Sequence, residues 1–195
     1  MVLTLLLGIC FLEAVFGMTA EEVQLILQVH NEHRAYRNLC GEKGIVPAEE
    51  ILQPLEWDDE LAAAAQRWSK KCNPFEEEPI GNVGKWNSVG RNSVIQSELA
   101  EAVAYWMEES NIYKHNTDFC SSTFGCNSYK QIVQAETAYV GCGFTRCRQY
   151  EYPSSMLIAC YYSPKVKSGP PYTDATNRRC KYLNANLNKI KGKGK

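Results

Sequence analysis

Eight cysteines stand after residue 17 of this chain, and no other feature restricts its fold as strongly. An even number of cysteines in an exported chain is typical of a disulfide framework, which here means four bridges. A zinc site is the alternative, but the sequence has no Cys-x2-Cys pair and no histidine in a ligand pattern with the cysteines. Eight cysteines allow roughly a hundred connectivities, so the residues alone leave the pairing open.

The first 17 residues predict export as a signal peptide. They hold an apolar run, Val2 to Leu12, followed by Val15 and Gly17 at a cleavage position before Met18. The alternative is a short buried helix or a membrane anchor, but about 15 residues are too few to span a bilayer. No other stretch is long enough to cross a membrane, so we predict a secreted, extracellular protein without a transmembrane segment. Cys10 is lost on cleavage.

The charge of the chain is divided between its body and its tail. Residues 18–164 hold twelve Lys or Arg and twenty acids, a net of −8, whereas residues 165–195 hold nine Lys or Arg and one acid, a net of +8. Such a tail suits an anionic lipid, a glycosaminoglycan or another acidic surface. The alternative, which we favour, is a solvated tail that keeps the chain soluble. No nucleic acid partner is predicted.

Capping signals and periodicity predict three long helices. Thr19 and Glu22 form a capping box for the first, which runs to about Leu39, and Asp58 is an N-cap for the second. Ser93 and Gln96 form a further capping box, before a third helix whose apolar positions are Leu99, Ala102, Val103 and Trp106, with Ser110 closing the stripe. Residues 73–92 have the composition of a loop.

Two later stretches predict β-strands, Gln131 to Thr145 and Met156 to Tyr162, because both are rich in Val, Ile and aromatic residues. Helices that precede strands, together with several disulfides, favour an α+β fold or a three-layer sandwich. We therefore expect one disulfide-stabilised domain.

Five motifs in order identify a family. They are His30-Asn31-x-x-Arg34, then Leu55-x-Trp57 with Ala65-Gln66-x-Trp68-x-x-x-Cys72, then Trp106-x-x-Glu109, then Tyr129-x-Gln131-Ile132-Val133 leading to Val140-Gly141-Cys142-Gly143, and finally Cys160-x-Tyr162-x-Pro164. The chain resembles the CAP superfamily (SCP/TAPS), that is, the cysteine-rich secretory, antigen 5 and pathogenesis-related-1 proteins. It resembles the venom-allergen-like proteins of helminths most.

The resemblance implies a three-layer α–β–α sandwich of the CAP type over residues 18–172, with residues 173–195 as a basic C-terminal tail. It also implies three disulfides, Cys72–Cys147, Cys120–Cys126 and Cys142–Cys160. Cys40 and Cys180 then remain for a fourth bridge, which rests on the count rather than on a motif.

Many family members place two His and two Glu in a central cleft that binds a divalent metal. This chain departs from that tetrad, because Ser128 stands at the first histidine position, Glu76 at the second and Asn82 at the loop glutamate, while only Glu109 matches. Glu76 with Glu109 is a weak calcium candidate, and His30 is expected to be a core histidine. We predict no metal site, no cofactor and no catalytic residues, so the chain is not expected to be an enzyme.

The resemblance leaves two apolar sites for lipid. Sterol-loop candidates are Gln131, Ile132, Val133, Gln134, Tyr139 and Gly141, although Gln134 replaces the family's usual tryptophan. Candidates for a fatty-acid cleft lie on the first and third predicted helices, at Val23, Ile26, Leu27, Leu99, Val103 and Met107; the alternative role of these residues is plain core.

The sequence thus predicts a secreted, non-catalytic CAP-domain protein that binds fatty acid and, more weakly, sterol, and that acts in host or extracellular interaction. The first alternative is a secreted protein that binds a receptor or matrix and takes no small ligand. The second, which is weaker, is a metal-dependent hydrolase.

Overall fold

The computed structural model describes residues 17–42, 44–76, 79–148, 155–175 and 179–181. The predicted signal segment and most of the basic tail therefore lie outside the described residues. The helices are α1 (Ala20–Tyr36), α2 (Asp59–Ser69), α3 (Leu99–Glu108) and α4 (Asn127–Val133). The strands are β1 (Glu56–Trp57), β2 (Gly90–Gln96), β3 (Tyr113–Lys114), β4 (Phe119–Cys120), β5 (Tyr139–Arg146) and β6 (Met156–Ser163).

A four-stranded sheet forms the middle layer, in the order β1-β5-β6-β2. β1 runs parallel to β5, and the other neighbours are antiparallel. Side chains alternate between the two faces of a strand, and β6 shows this directly. Ile158, Cys160 and Tyr162 join one core cluster with residues of α1, α3 and α4, whereas Leu157 and Tyr161 join a second cluster with α2. The α–β–α sandwich predicted from the sequence is confirmed.

The predicted helix starts at Thr19 and Asp58 are confirmed by their hydrogen bonds. The Thr19 hydroxyl accepts the Glu22 N–H at 3.2 Å, while the Glu22 carboxylate accepts the Thr19 N–H at 2.8 Å. The Asp58 carboxylate accepts the Leu61 N–H at 2.9 Å. α1 ends at Tyr36 rather than near Leu39, because the next residues close single turns back onto Arg34, Ala35 and Tyr36.

Two predicted elements are wrong. Ser93 and Gln96 do not cap a helix, because both lie in β2, which pairs with β6 along its whole length. α3 instead begins after Glu98, which makes no side-chain capping bond, and Ser110 lies in a 3-10 turn, Glu109–Asn111, that follows α3. Gln131 to Val133 form the end of α4, so the stretch that was expected to be extended becomes β-strand only at Tyr139.

The structure contains the four disulfides that the sequence analysis expects. Three bridges follow the resemblance, Cys72–Cys147, Cys120–Cys126 and Cys142–Cys160. The fourth joins Cys40, beyond the end of α1, to Cys180, which fixes the start of the basic tail to the body. Within the described part of the chain, no helix is long and apolar enough to cross a membrane.

Candidate functional site

Two of the four tetrad positions meet at the junction of α3 and α4. Glu109 follows the last residue of α3, and one of its carboxylate oxygens accepts the Tyr129 N–H at 2.8 Å. Ser128, in the first turn of α4, also donates to this carboxylate. Partial burial raises the pKa of Glu109, and these hydrogen bonds oppose the rise. Glu109 therefore links two helices in this structure.

The other two tetrad positions, Glu76 and Asn82, lie in loops rather than on α3 or α4. Glu76 lies in the loop after α2 and pairs with Lys71 at 2.9 Å, and its backbone carbonyl accepts a bond from Arg91 at 3.0 Å. Asn82 is exposed in the loop before β2. Lys71 would compete with a metal ion for the Glu76 carboxylate, and Arg91 at the backbone carbonyl adds a second positive charge nearby.

Within the described ranges, no three His, Cys, Asp or Glu side chains lie close enough together to share a metal ion. The residues present at the tetrad positions also fit a metal poorly, since serine and asparagine replace imidazole and carboxylate. The absence of a metal site remains a prediction from the sequence.

A buried chain of hydrogen bonds connects the cleft residue Ser128 to α1. Asn92 of β2 donates to the Ser128 carbonyl at 3.0 Å and to the Tyr162 hydroxyl at 3.4 Å. His30 Nε2 lies 2.8 Å from that hydroxyl, and His30 Nδ1 lies 2.7 Å from the Ile26 carbonyl. A carbonyl only accepts, so Nδ1 carries the proton and Nε2 accepts from Tyr162. His30 is thus the core histidine that the sequence predicts.

The network makes stability depend on pH. Complete burial lowers the pKa of His30 to about 4, helped by the charges of His33 and Arg34 and opposed by the bond to Ile26. The unfolded ring titrates near 6.5, so the folded protein resists protonation. We expect the free energy of unfolding to be highest above pH 6.5 and to fall by up to about 1.4 kcal/mol for each unit from there toward pH 4. Urea unfolding at pH 7 and pH 5 measures this loss.

His30→Gln is the matched variant, because glutamine can donate and accept but does not titrate. His33 and His115 also have lowered pKa values, through burial first, and they contribute with the same sign. The difference in slope between the wild type and the variant therefore isolates His30. Equal slopes for the two proteins would contradict this assignment.

The sterol-loop candidates do not form one exposed loop. Gln131, Ile132 and Val133 are buried in α4, whereas Tyr139 and Gly141 lie in β5. Tyr139 packs on Trp86, with ring centroids 4.6 Å apart. Gly141 lies against the backbone of α2 at Ala62 and Leu61. These positions therefore have packing roles in this chain.

Gln131 and Gln134 hold the segment after β6. The Gln134 amide donates to the Lys165 carbonyl at 3.1 Å and accepts the Lys167 N–H at 2.8 Å. Gln131 likewise donates to the Pro164 carbonyl at 3.1 Å and accepts the Val166 N–H at 2.7 Å. Gln134 lines a cleft of about 600 Å³ with His115 and Tyr172 among others, but its polar atoms are already bonded to backbone. A tryptophan there would displace this segment.

The fatty-acid candidates are mostly core. Ile26, Leu99, Val103 and Met107 are buried in the cluster between the sheet and α1, α3 and α4, and Leu27 packs against it. Val23 is half-buried. α1 and α3 thus contribute to one core cluster, and the role of these residues as plain core, which the sequence left open as the alternative, agrees with their burial. Met107 differs, because it also lines a groove.

That groove, of about 520 Å³, lies where α1 and α3 end. Its apolar lining includes Tyr36, Ile45 and Met107, and His33 and Arg37 supply basic groups. Arg37 is only 8% exposed, and its buried Nε has no hydrogen-bond partner. Its guanidinium lies 5.4 Å from the centroid of the Tyr129 ring. The groove therefore combines apolar side chains with charges of both signs, since Glu108 also lines it, and the unpartnered Nε of Arg37 is buried beneath its surface.

Several residues that organise the site have no functional prediction from the sequence. Arg34 stands only in a family motif, yet it is 1% exposed and donates to the Ile132 carbonyl near the end of α4. Its spacing of four residues from the buried His30, on the same helix face, was an available signal. Arg37, Asn92 and Arg91 gave no signal, because their roles depend on partners distant in sequence.

Comparisons with known proteins agree with this fold. The family model "CAP: Cysteine-rich secretory protein family" matches residues 27–162. Venom allergen 5 of Microctonus hyperodae is 35% identical over 77% of this chain and 69% of its own length. Mouse peptidase inhibitor 16 is 31% identical over 82% of this chain, which spans only 31% of that relative. Among solved structures, Schistosoma mansoni venom allergen-like protein 4 aligns with a TM-score of 0.71 and 28% identity, over 80% of this chain and 96% of its own.

Proposed function

The chain belongs to the cysteine-rich secretory protein (CAP) family, and from this premise we propose that it is a secreted, non-catalytic protein that binds a fatty acid at the groove between α1 and α3. The observation that carries the proposal is Arg37, a buried cation whose Nε has no partner and which lines the groove beside Tyr36, Ile45 and Met107. Peptidase inhibitor 16 matches this chain over 31% of its own length and the venom allergen of Microctonus hyperodae over 69%, and their own activities are not assigned to this chain.

The chemistry of the groove suits a carboxylate joined to an acyl chain. Guanidinium and carboxylate form a two-point hydrogen-bonded pair, which is the strong form of this contact. Among the described residues, no carboxylate forms an ion pair with Arg37. A volume of about 520 Å³ is within the usual range for small-molecule sites, and Met107 offers an adaptable apolar wall.

Sterol is a weaker candidate than fatty acid. The tryptophan expected in the sterol loop would bury on the order of 150–250 Å² of apolar surface. Gln134 provides none of this, and its amide is committed to Lys165 and Lys167. Any sterol bound here would have to use other contacts.

Palmitate binding tests the proposal. Arg37→Met keeps an unbranched side chain but removes the charge, together with the guanidinium that lies over the Tyr129 ring, so we expect about tenfold weaker palmitate binding or more. Displacement of a fluorescent fatty acid from the chain beginning at Met18 measures the affinity, and cholesterol is run in parallel. The control variant is Arg67→Met, because Arg67 is exposed on α2 and lies outside the groove.

Equal palmitate affinity in Arg37→Met and the wild type would remove Arg37 from the site. If neither palmitate nor cholesterol binds, the lipid proposal fails, and a receptor- or matrix-binding protein without a small ligand takes its place. Stoichiometric zinc binding of micromolar affinity would instead favour the metal-dependent hydrolase.

A further inference from the structure

The loop between β4 and α4, which a disulfide closes, carries an aromatic side chain that is almost fully exposed to solvent. The Cys120–Cys126 disulfide joins its ends, and Cys126 is buried at the start of α4. The Phe124 N–H donates to the Ser122 hydroxyl at 3.1 Å, and the Gly125 N–H donates to the Ser122 carbonyl at 3.2 Å. Phe124 itself is 96% exposed. The phenyl ring of Phe124 is therefore exposed to solvent on a loop that a disulfide and two local hydrogen bonds constrain.

A groove of about 520 Å³ lies beside this ring. Tyr105 of α3 and Ile112 line it with Phe124, and both are substantially exposed. The Ser121 N–H donates to the Ile112 carbonyl at 3.1 Å, so the loop and the turn after α3 are tied together. Exposed apolar side chains gathered at one groove mark an interaction surface more often than single scattered ones.

The rim of the groove is acidic. Glu108 and Glu109 are the charged residues that line it, and no Lys, Arg or His belongs to its described lining. Lys114 of β3 is outside this lining, and its ammonium lies 5.7 Å from the centroid of the Phe119 ring. The net charge of −8 on residues 18–164 extends the same field. Such a field attracts a basic partner and repels an anionic membrane.

We propose that Phe124, Tyr105 and Ile112, with the Glu108 and Glu109 rim, form a docking surface for a protein segment that carries an apolar side chain between basic residues. The ring would serve as a rigid anchor, since exposed aromatic residues on fixed supports dominate many interfaces. This surface is separate from Arg37, although Glu108 and Asn111 border both grooves. It goes beyond the proposed lipid site and does not depend on it.

Fluorescence polarisation with a labelled peptide tests the surface. The probe is an acetylated Gly-Lys-Leu-Phe-Lys-Gly amide, and the control peptide has glutamates in place of the lysines. We expect the basic peptide to bind the chain beginning at Met18 and the acidic one not to bind. Phe124→Ser should weaken binding about tenfold or more, and Glu108→Lys should weaken it with a loss of salt dependence. Phe75→Ser is the matched control, because Phe75 is 87% exposed in another loop.

The proposal is overturned if the basic peptide does not bind up to about 1 mM, or if Phe124→Ser and Phe75→Ser have equal effects. Tight peptide binding only after removal of residues 182–195 would also overturn it, because the chain's own basic tail would then be the occupant of the groove. Binding of phosphatidylserine vesicles that depends on Phe124, without any peptide binding, would mean that the surface contacts a membrane. Palmitate binding by Phe124→Ser, measured separately, distinguishes a failure here from a failure of the lipid site.

Discussion

Replacing Arg34 with methionine is expected to cost about 3–5 kcal/mol of unfolding free energy. The side chain is 1% exposed and makes four hydrogen bonds to backbone carbonyls. Its Nη1 donates to Ile132 at 2.8 Å and to Gln134 at 2.9 Å, where α4 ends. The last carbonyls of a helix have no hydrogen-bond donor within the helix, so the Arg34 guanidinium supplies donors to them. Methionine would remove the donor at the Ile132 carbonyl and would leave the Gln134 carbonyl with only its bond from the Thr137 N–H.

Arg34 also joins distant parts of the chain. Its Nε donates to the Gln53 carbonyl at 2.7 Å, and its Nη2 donates to the Thr137 carbonyl at 3.2 Å. Burial lowers the pKa of Arg34 to about 10, so the group still carries its charge at neutral pH. Carbonyl dipoles therefore compensate a buried cation.

Urea unfolding at pH 7, with the disulfides intact, measures the loss in Arg34→Met. Arg34→Lys should lose more than half as much, because a single ammonium cannot reach all four carbonyls. Arg67→Met should stay within about 0.5 kcal/mol of the wild type, since Arg67 is exposed. A loss below about 1 kcal/mol in Arg34→Met would show that water replaces the guanidinium at these carbonyls.

The parts of the fold that could be predicted from sequence are those with local physical signals. Thr19 and Asp58 begin helices because a side-chain oxygen close in sequence can satisfy free N–H groups. Met156 to Tyr162 could be predicted because its strand is buried on both faces and reads as an unbroken apolar run. These signals depend on residues within one or two turns of each other.

The two secondary-structure predictions that are wrong fall where contacts with residues distant in sequence decide the structure. Ser93 and Gln96 have capping-box spacing, yet pairing with Ala159 and Met156 of β6 places them in a strand. Gln131 to Val133 are too short a run to distinguish helix from strand, and Arg34, about a hundred residues earlier, holds the helical form. The groove at the ends of α1 and α3 has no local signal either, because Arg37, which lines it, contacts Tyr129, a residue distant in sequence.

A second large effect is expected at Gly141, where β5 lies against α2. An added Cβ would overlap the Ala62 nitrogen and the Asp58 carbonyl oxygen and would lie 2.7 Å from the Leu61 carbonyl carbon. These are backbone atoms, which cannot rotate away as a side chain can. Gly143, two residues along the same face, meets Gln66 in the same way, with its Cβ 2.5 Å from the Gln66 Cα. Glycine at both positions sets the distance between the sheet and α2.

Gly141→Ala should therefore lower the free energy of unfolding by about 3 kcal/mol, because α2 must move off the sheet and its apolar face must repack. Gly81→Ala is the matched control, since a Cβ there meets nothing within 4 Å, and its stability should change by less than about 0.5 kcal/mol. Urea unfolding and near-ultraviolet circular dichroism measure both variants. The resemblance placed Gly141 in a sterol loop, and the packing predicts that its alanine variant loses stability whether or not sterol is present. A Gly141→Ala protein with wild-type stability and weakened cholesterol binding would return the residue to a ligand site.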